Sequence, residues 1–376
     1  MRVMIAVTHL LGTGHLARAL TLARAFAAAD NAVTIVSGGT SVGHFETTGL
    51  RFEQLPEVRS NGTDFTTLLD RDGQVASPAI LVARQQRLLA ILKDVQPDIL
   101  ITELFPFGRR ILRNEFIELL QAGRDMALQP VTLASVRDIL APPSKPSKVT
   151  FAEDLINRFY DGVLVHADPD VVRLDRSWPV SGSLERRLYY TGFVAPAPPA
   201  DPPSRQAGVL VSAGGGNVGD KVFGAACDAA RLLPDVAWCI LISGPDERRA
   251  RFAAYAPKNV TIQAPRSDFR HLMATADVSV SMVGYNTAMD ILQTGVPAVL
   301  IPFDDGGEVE QGLRAQALIA LRATSLIRQD VLDGVSLARE VSALMTQSRR
   351  TPKADGMDGA AVAVEIAHRL YVERAK

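Results

Sequence analysis

No helix or strand can run through residues 195–203, where five of nine positions are proline. Each proline lacks a backbone N–H and pushes the residue before it out of the helical region. The chain must therefore break near its middle. With 376 residues it is long enough for two domains of ordinary size. We read residues 1–194 as one domain, 195–207 as a linker and 208–356 as a second domain.

Both halves alternate short apolar runs with helical patterns. Residues 3–7, 33–36, 98–102, 131–135 and 163–166 read as buried strands of the first half. Leu16, Leu20, Ala23 and Ala27 form a helical stripe between the first two, with Arg18 and Arg24 off it. In the second half, strands are expected at 208–212, 238–243, 260–262, 278–281 and 298–302. Helices are expected at 220–233, 268–275, 286–294, 308–321, 331–345 and 359–371. Such alternation gives a parallel sheet with helices on both faces, so the expected class is α/β, two Rossmann-like doubly wound domains. The halves also echo each other. Met4-Ile5-Ala6-Val7 leads to a glycine loop and a helix, and Val209-Leu210-Val211-Ser212 leads to Ala213-Gly214-Gly215-Gly216-Asn217 and a helix. Two such domains facing each other would form a cleft into which both loops open.

Composition excludes several functions. Lys plus Arg is 40 and Asp plus Glu 41, so no basic field draws the chain to nucleic acid. Aromatic residues at 6% are too sparse for a base-stacking platform. No run approaches the ~18 apolar residues of a membrane span. The apolar run at the N-terminus stops at His9 and is not expected to be a leader. Neither Cys227 nor Cys239 has a zinc-like partner spacing, and no metal ligand set is expected. A cytoplasmic protein is the expectation.

Three segments carry candidate chemistry. In Gly12-Thr13-Gly14-His15, the glycines allow close approach of a ligand, the following helix start suits an anion, and His15 is either a general base or a helix-capping residue. A dinucleotide fingerprint would need a third glycine near the helix start and an acid ending the second strand, yet Ala17 stands in the helix and that strand ends in Ser37-Gly38-Gly39. No redox cofactor is expected. Gly215, Gly216 and Asn217 form a loop short of a P-loop, since no Gly-Lys-Ser/Thr follows. The third segment runs from Ser281 to Phe303. Gly284 and Tyr285 lead to Asn286 and Thr287, which open a helix able to hold a phosphate. Asp290, one turn on, either reaches a ribose diol or is a solvated helix residue. Glu308 ends a polar loop, leading to Gln311, that could accept from sugar hydroxyls; Glu308 is otherwise an N-terminal helix charge. Glu103, at a strand end in Thr102-Glu103-Leu104-Phe105-Pro106-Phe107, is a second candidate base, an orienter of His15, a helix N-cap, or a partner of Arg109 or Arg110. Arg109, Arg110 and Arg113 with Ile111, Leu112, Phe116 and Leu120 read as a basic amphipathic helix, either a core helix or a membrane-surface element.

In order along the chain, Gly-X-Gly-His, Gly284-Tyr285-Asn286-Thr287, Gly295-Val296-Pro297, Pro302-Phe303, Glu310-Gln311 and Arg314-Ala315 resemble the nucleotide-sugar glycosyltransferases of the two-Rossmann-domain (GT-B) class. The nearest family is the lipid-intermediate N-acetylglucosaminyltransferases of peptidoglycan synthesis (MurG-like, family 28). Thr102-Glu103, Ser135-Val136-Arg137-Asp138 and Tyr190-Thr191-Gly192 are similar to a less characterised group of bacterial glycosyltransferases. The resemblance spans nearly the whole chain. It implies that Gly14 and His15 face donor and acceptor, that Asn286 and Thr287 bind the diphosphate, that Asp290 holds the ribose, that Gln311 touches the donor sugar, and that Arg266 lies near the base. It also implies that the closing helix, within 357–376, packs back on the first domain. Two departures stand out: Phe193-Val194-Ala195 replaces an expected arginine, and Arg314 stands where asparagine is usual.

The expected function is transfer of a sugar from a nucleotide-diphospho-sugar, UDP-linked, to an acceptor hydroxyl on a glycan or lipid-linked molecule. No Asp-X-Asp motif lies near these loops, which favours a metal-independent reaction; no cofactor is expected, and inversion is what the resemblance implies. Peripheral contact with the inner face of a membrane is consistent with this. A nucleotide-sugar hydrolase, an epimerase and a non-catalytic sugar-nucleotide-binding module are the alternatives.

Overall fold

A computed structural model describes residues 1–42, 45–61, 64–195, 208–214, 218–304 and 309–374. Most of the expected linker, together with Gly215, Gly216, Asn217 and Glu308, lies outside the described residues. The chain forms two compact units, Met1–Ala195 with Asp358–Lys376, and Pro196–Met357.

The first unit begins with β1 (Arg2–Val7), α1 (Gly14–Ala28) and β2 (Ala32–Ser37). It continues through β3 (Arg51–Gln54), a hairpin of β4 (Arg59–Asn61) and β5 (Asp64–Leu69), and α2 (Pro78–Val95). Then come β6 (Ile99–Glu103), α3 (Arg113–Arg124), β7 (Val131–Arg137), α4 (Pro146–Phe159), β8 (Gly162–His166), α5 (Gly182–Glu185) and β9 (Leu188–Tyr190). The sheet order is β3-β2-β1-β6-β7-β8-β9, all parallel. β1, β6 and β8 are buried nearly throughout because helices cover both faces, which is why they read as unbroken apolar runs.

The second unit holds β10 (Val209–Ser212), α6 (Asp220–Leu232), β11 (Trp238–Leu241), α7 (Asp246–Ala253), β12 (Val260–Gln263) and α8 (Phe269–Thr275). After these follow β13 (Val278–Ser281), α9 (Tyr285–Thr294), β14 (Ala298–Leu300), α10 (Glu310–Leu318), β15 (Thr324–Leu326) and α11 (Gly334–Met345). Its sheet order, β12-β11-β10-β13-β14-β15, is the doubly wound 3-2-1-4-5-6 arrangement. Val211, Ile240 and Val280 of the strands meet Phe223 of α6 and Leu337 and Val341 of α11 in one core. Each such side chain stabilises the unit by roughly 1.5–3 kcal/mol.

The final helix, α12 (Gly359–Arg374), belongs to the first unit. Ala363, Ile366 and Ala367 join the core built by Leu16, Leu20 and Phe26 of α1. Gly359 sits at the crossing: its N–H donates to Phe193 O at 3.0 Å, and a Cβ there would lie 2.4 Å from Gly192 O.

In each sheet the strand order reverses beside the first strand. The reversal falls between β1 and β6 in one unit and between β10 and β13 in the other. Open α/β sheets bind ligands outside the carboxyl ends of strands at that point. His15 follows β1 and Glu103 ends β6; Gly284 to Asp290 follow β13.

Candidate active site

In the first unit, β1 and β6 pair in register, Ala6 opposite Thr102. Glu103 therefore emerges level with the loop that carries His15. His15 Nδ1 lies 2.9 Å from Glu103 Oε1, which can only accept, and 3.1 Å from Arg18 Nη2, which can only donate; the shorter contact assigns the proton to Nδ1. Arg18, one turn further along α1, pairs with the same oxygen. Ser135 lies opposite Glu103 in the β6–β7 register, and its Oγ donates to Oε2 at 2.6 Å. Glu103 is 1% exposed and the His15 side chain 12%.

Electrostatics settle the protonation states. Burial pushes His15 down to about 3, and the charge of Arg109 adds to this against the pull of Glu103. Burial alone would raise Glu103, but the charge of Arg18 and the bonds from His15 and Ser135 outweigh it and hold the carboxyl below its usual range. At neutral pH the pair is a neutral imidazole bonded to a carboxylate. Its Nε2 lone pair is the free end, the arrangement a general base requires.

These contacts refine two expectations. Arg18 lies off the apolar stripe as expected, yet it is 3% exposed rather than solvated, turned inward by its ion pair. Glu103 pairs with Arg18 rather than with Arg109 or Arg110. Arg109 caps and Arg110 opens a 3-10 turn, Arg110–Leu112, that runs straight into α3 at Arg113. Their guanidinium groups serve main-chain oxygens instead: Arg109 Nε donates to Thr8 O at 2.5 Å and Arg110 Nη1 to Phe107 O at 2.6 Å. Backbone strain gathers beside Glu103, where Leu104 (φ 68°) and Arg109 (φ 57°) are both left-handed.

In the second unit, α9 starts at Tyr285, its cap residue Gly284 makes no side-chain cap bond, and its first turn carries no acid of its own. Asn286 is exposed, Thr287 half-buried and Tyr285 buried. Gly295 ends the helix at φ 65°, where a Cβ would strike Arg350 O. A Cβ on Gly284, or on Gly14 in the first unit, would meet nothing within 4 Å. No protein atom among the described residues demands a glycine at either place.

Asp290 is not solvated. It is buried, and Arg270 Nε donates to its Oδ1 at 2.7 Å. Burial pushes the carboxyl up to about 6 against the attraction of Arg270. Gln311 brings its amide to the same helix start, but its Oε1 is occupied, accepting from Val283 N at 2.9 Å and Phe303 N at 3.1 Å. Arg314 Nη1 donates to Val283 O at 2.9 Å, and its guanidinium lies 6.0 Å from the Tyr285 ring centroid. Arg266 is exposed and pairs with Asp268 through bonds of 2.7 and 2.5 Å. No hydrogen bond joins it to α9 among the described residues.

The sequence reading missed Arg18, Ser135, Arg270 and His166. Arg18 had a signal: it lies three residues after His15, on the same helix face. Among the described residues no helix is long and apolar enough to cross a membrane, and no group of three or more His, Cys, Asp or Glu could hold a metal.

Two doubly wound parallel sheets, each with its candidate site at the strand-order reversal, define the GT-B class, and the chain is a glycosyltransferase. Within that class it is MurG-like. Residues 238–370 match the glycosyltransferase family 28 C-terminal domain. A protein of Methanosarcina mazei named an uncharacterized glycosyltransferase is 23% identical over 314 residues, 80% of this chain and 79% of that one. The UDP-N-acetylglucosamine–N-acetylmuramyl-(pentapeptide) pyrophosphoryl-undecaprenol N-acetylglucosamine transferase of Brucella anthropi is 30% identical over 143 residues, 36% of this chain and 38% of that one. The crystal structure of MurG from Acinetobacter baumannii matches with a TM-score of 0.59 at 17% identity, over 100% of this chain and 99% of that one.

Proposed function

We propose that the chain transfers a sugar from a UDP-linked donor to an acceptor hydroxyl, with His15 as general base and Glu103 as its orienting carboxylate. The observation that carries this is the 2.9 Å bond from His15 Nδ1 to Glu103 Oε1, which leaves Nε2 free to take a proton. The acceptor hydroxyl gives its proton to Nε2 as its oxygen attacks the anomeric carbon. The bond from that carbon to the diphosphate breaks, and the configuration inverts.

The donor role falls to the second unit. The uncapped start of α9 at Gly284, Tyr285, Asn286 and Thr287 offers N–H groups to the diphosphate, and the open space at Gly284 lets phosphate oxygens approach the backbone. Preorganised dipoles of this kind stabilise a departing anion without a metal ion. Asp290 has Oδ2 left for ribose hydroxyls, and Gln311 has Nε2 left for the sugar. Gly14 presents the same open backbone beside His15. Arg266 lies nearer the base, and Gly215, Gly216, Asn217 and Glu308 complete the donor set. The acceptor is a glycan or lipid-linked hydroxyl, met by the protein at a membrane surface.

The test is a thermal-shift screen against UDP-, GDP-, dTDP- and CMP-sugars, followed by turnover with the best donor in the presence of EDTA. UDP-sugars should raise the melting temperature, and turnover should survive EDTA. A shift with another nucleotide alone would overturn the donor assignment. Loss of turnover on chelation would overturn metal independence. Donor consumption that no acceptor accelerates would mark a hydrolase instead.

A further inference from the structure

The carboxylate of Glu103 belongs to a longer buried chain. Ser135 has one proton, and it goes to Glu103 Oε2, which cannot donate. The Ser135 oxygen also lies 2.9 Å from His166 Nε2, so that nitrogen must carry the hydrogen. His166 Nδ1 lies 2.9 Å from Thr191 Oγ1. With hydrogen on Nε2, Nδ1 of the neutral ring is an acceptor. The Thr191 hydroxyl donates to Gly192 O at 2.7 Å, so its single proton is already used there. Burial pushes His166 down to about 3, helped by the charge of Arg18 and opposed by Glu103, and keeps the ring neutral.

Register explains why these side chains meet. Glu103 faces Ser135 across β6 and β7, and Ser135 faces Leu164 on β8, so His166 stands diagonally on the same face. Ser135, His166 and Thr191 are all buried. Two protons in this row point toward Glu103: that of His166 Nε2 to Ser135, and that of Ser135 to Oε2. His15 and Arg18 supply Oε1 from the other side. A row of buried polar groups costs free energy that an apolar sheet end would not.

We infer that Ser135 and His166 are positioning residues for the His15–Glu103 pair: they fix the carboxylate plane so that Oε1 receives the Nδ1–H of His15 and Nε2 is left for the acceptor. This rests on the reading of His15 as base. Neither residue touches substrate; both act through Glu103.

The test uses the full chain labelled with ring-¹⁵N histidine. In the wild type at pH 7, the long-range ¹H–¹⁵N spectrum should show His15 protonated on Nδ1 and His166 on Nε2. Ser135→Ala removes the donor to Oε2. The groups facing His15 are then still Arg18, Arg109 and a less neutralised Glu103, so its imidazolium becomes easier to form. The acid limb of kcat/KM should move to higher pH, kcat should fall roughly 10- to 100-fold, and donor KM should stay within about twofold. Ser135→Thr keeps the hydroxyl and should restore the limb. A wild-type His166 protonated on Nδ1 would overturn the inference. So would a Ser135→Ala protein that loses activity while its His15 tautomer and acid limb stay in place. The tautomer spectrum needs no turnover. A chain that transfers no sugar therefore fails the proposed function while the bracing of Glu103 is still decided, and the wild-type spectrum decides it even where Ser135→Ala does not fold.

Discussion

Arg18 and His15 address the same oxygen of Glu103. The guanidinium pairs with Oε1, and the imidazole Nδ1 lies 2.9 Å from that atom and 3.1 Å from Arg18 Nη2. The ring and the guanidinium are both donors, so each crowds the other and both depend on one carboxylate. Glu103 thus neutralises a buried cation and aligns the ring with a single atom.

Removing one partner of such a pair leaves an unbalanced buried charge, which typically costs about 3–5 kcal/mol. Arg18→Met should lower the unfolding free energy on that scale in urea titration. Arg18→Met combined with Glu103→Gln should recover part of the loss. A single variant within about 1 kcal/mol of the wild type, the range of an exposed pair, would show that this pair contributes little.

His15→Ala should lower turnover by about 10²- to 10⁴-fold while leaving donor affinity within about twofold. Glu103→Gln retains the shape but can present an N–H to the ring, so it should fall nearly as far. Steady-state kinetics with calorimetry of donor binding check both. Full turnover in His15→Ala would remove it from the chemistry.

Asp290 titrates near 6 because burial opposes its charge more than Arg270 supports it. A ribose hydroxyl is best accepted by the carboxylate, so UDP affinity should rise as pH climbs through about 6 and level off above it. The stability contribution has the opposite sign. A raised carboxyl holds its proton more tightly when folded, so its contribution is lost as pH rises from the ordinary value through about 6. Asp290→Asn should flatten both dependences, as read by calorimetry and by melting at about pH 5 and about pH 7.5, on either side of that titration. A UDP affinity unchanged across that range would place Asp290 outside the donor site.

Two neutral imidazoles make the first unit sensitive to acid. His15 and His166 are both pushed down to about 3, so the unfolded chain takes up protons first. Their contribution is fully present above the ordinary value of 6.5 and is lost as pH falls from there toward 3. The slope is at most about 1.4 kcal/mol per pH unit for each ring. Replacing His166 with Gln should make the stability curve shallower by about one ring's share between roughly pH 4 and 6. An unchanged slope would mean that another group controls acid unfolding.

The strands at 3–7 and 278–281 were legible because burial on both faces writes an unbroken apolar run. The helix at Tyr285 was legible because glycine, a polar start and Gly295 frame it. β9 and β15 were not, since three half-buried residues at a sheet edge leave no run to read. α2 hid for another reason. Its Arg84 is wholly buried, bonded to both Glu115 oxygens and to Gly38 O, so a charged residue stands where an apolar stripe was sought. The same blindness concealed Arg18. Within the site, His15 and Glu103 were each visible as residue types at strand ends, whereas their bond depends on the β1–β6 register across 88 residues of chain. Ser135 and Thr191 lay inside motifs already noticed, but nothing local told that His166 joined them.

Ribosomes make a chain from its N-terminus onward, so α12 emerges only after the second unit is complete. Its Ala363, Ile366 and Ala367 fill out the core of the unit that was made first. Until α12 is made, the first unit has one apolar face uncovered. A chain ending just short of Asp358 would therefore hold every element of the second unit and lack the one helix that completes the core of the first.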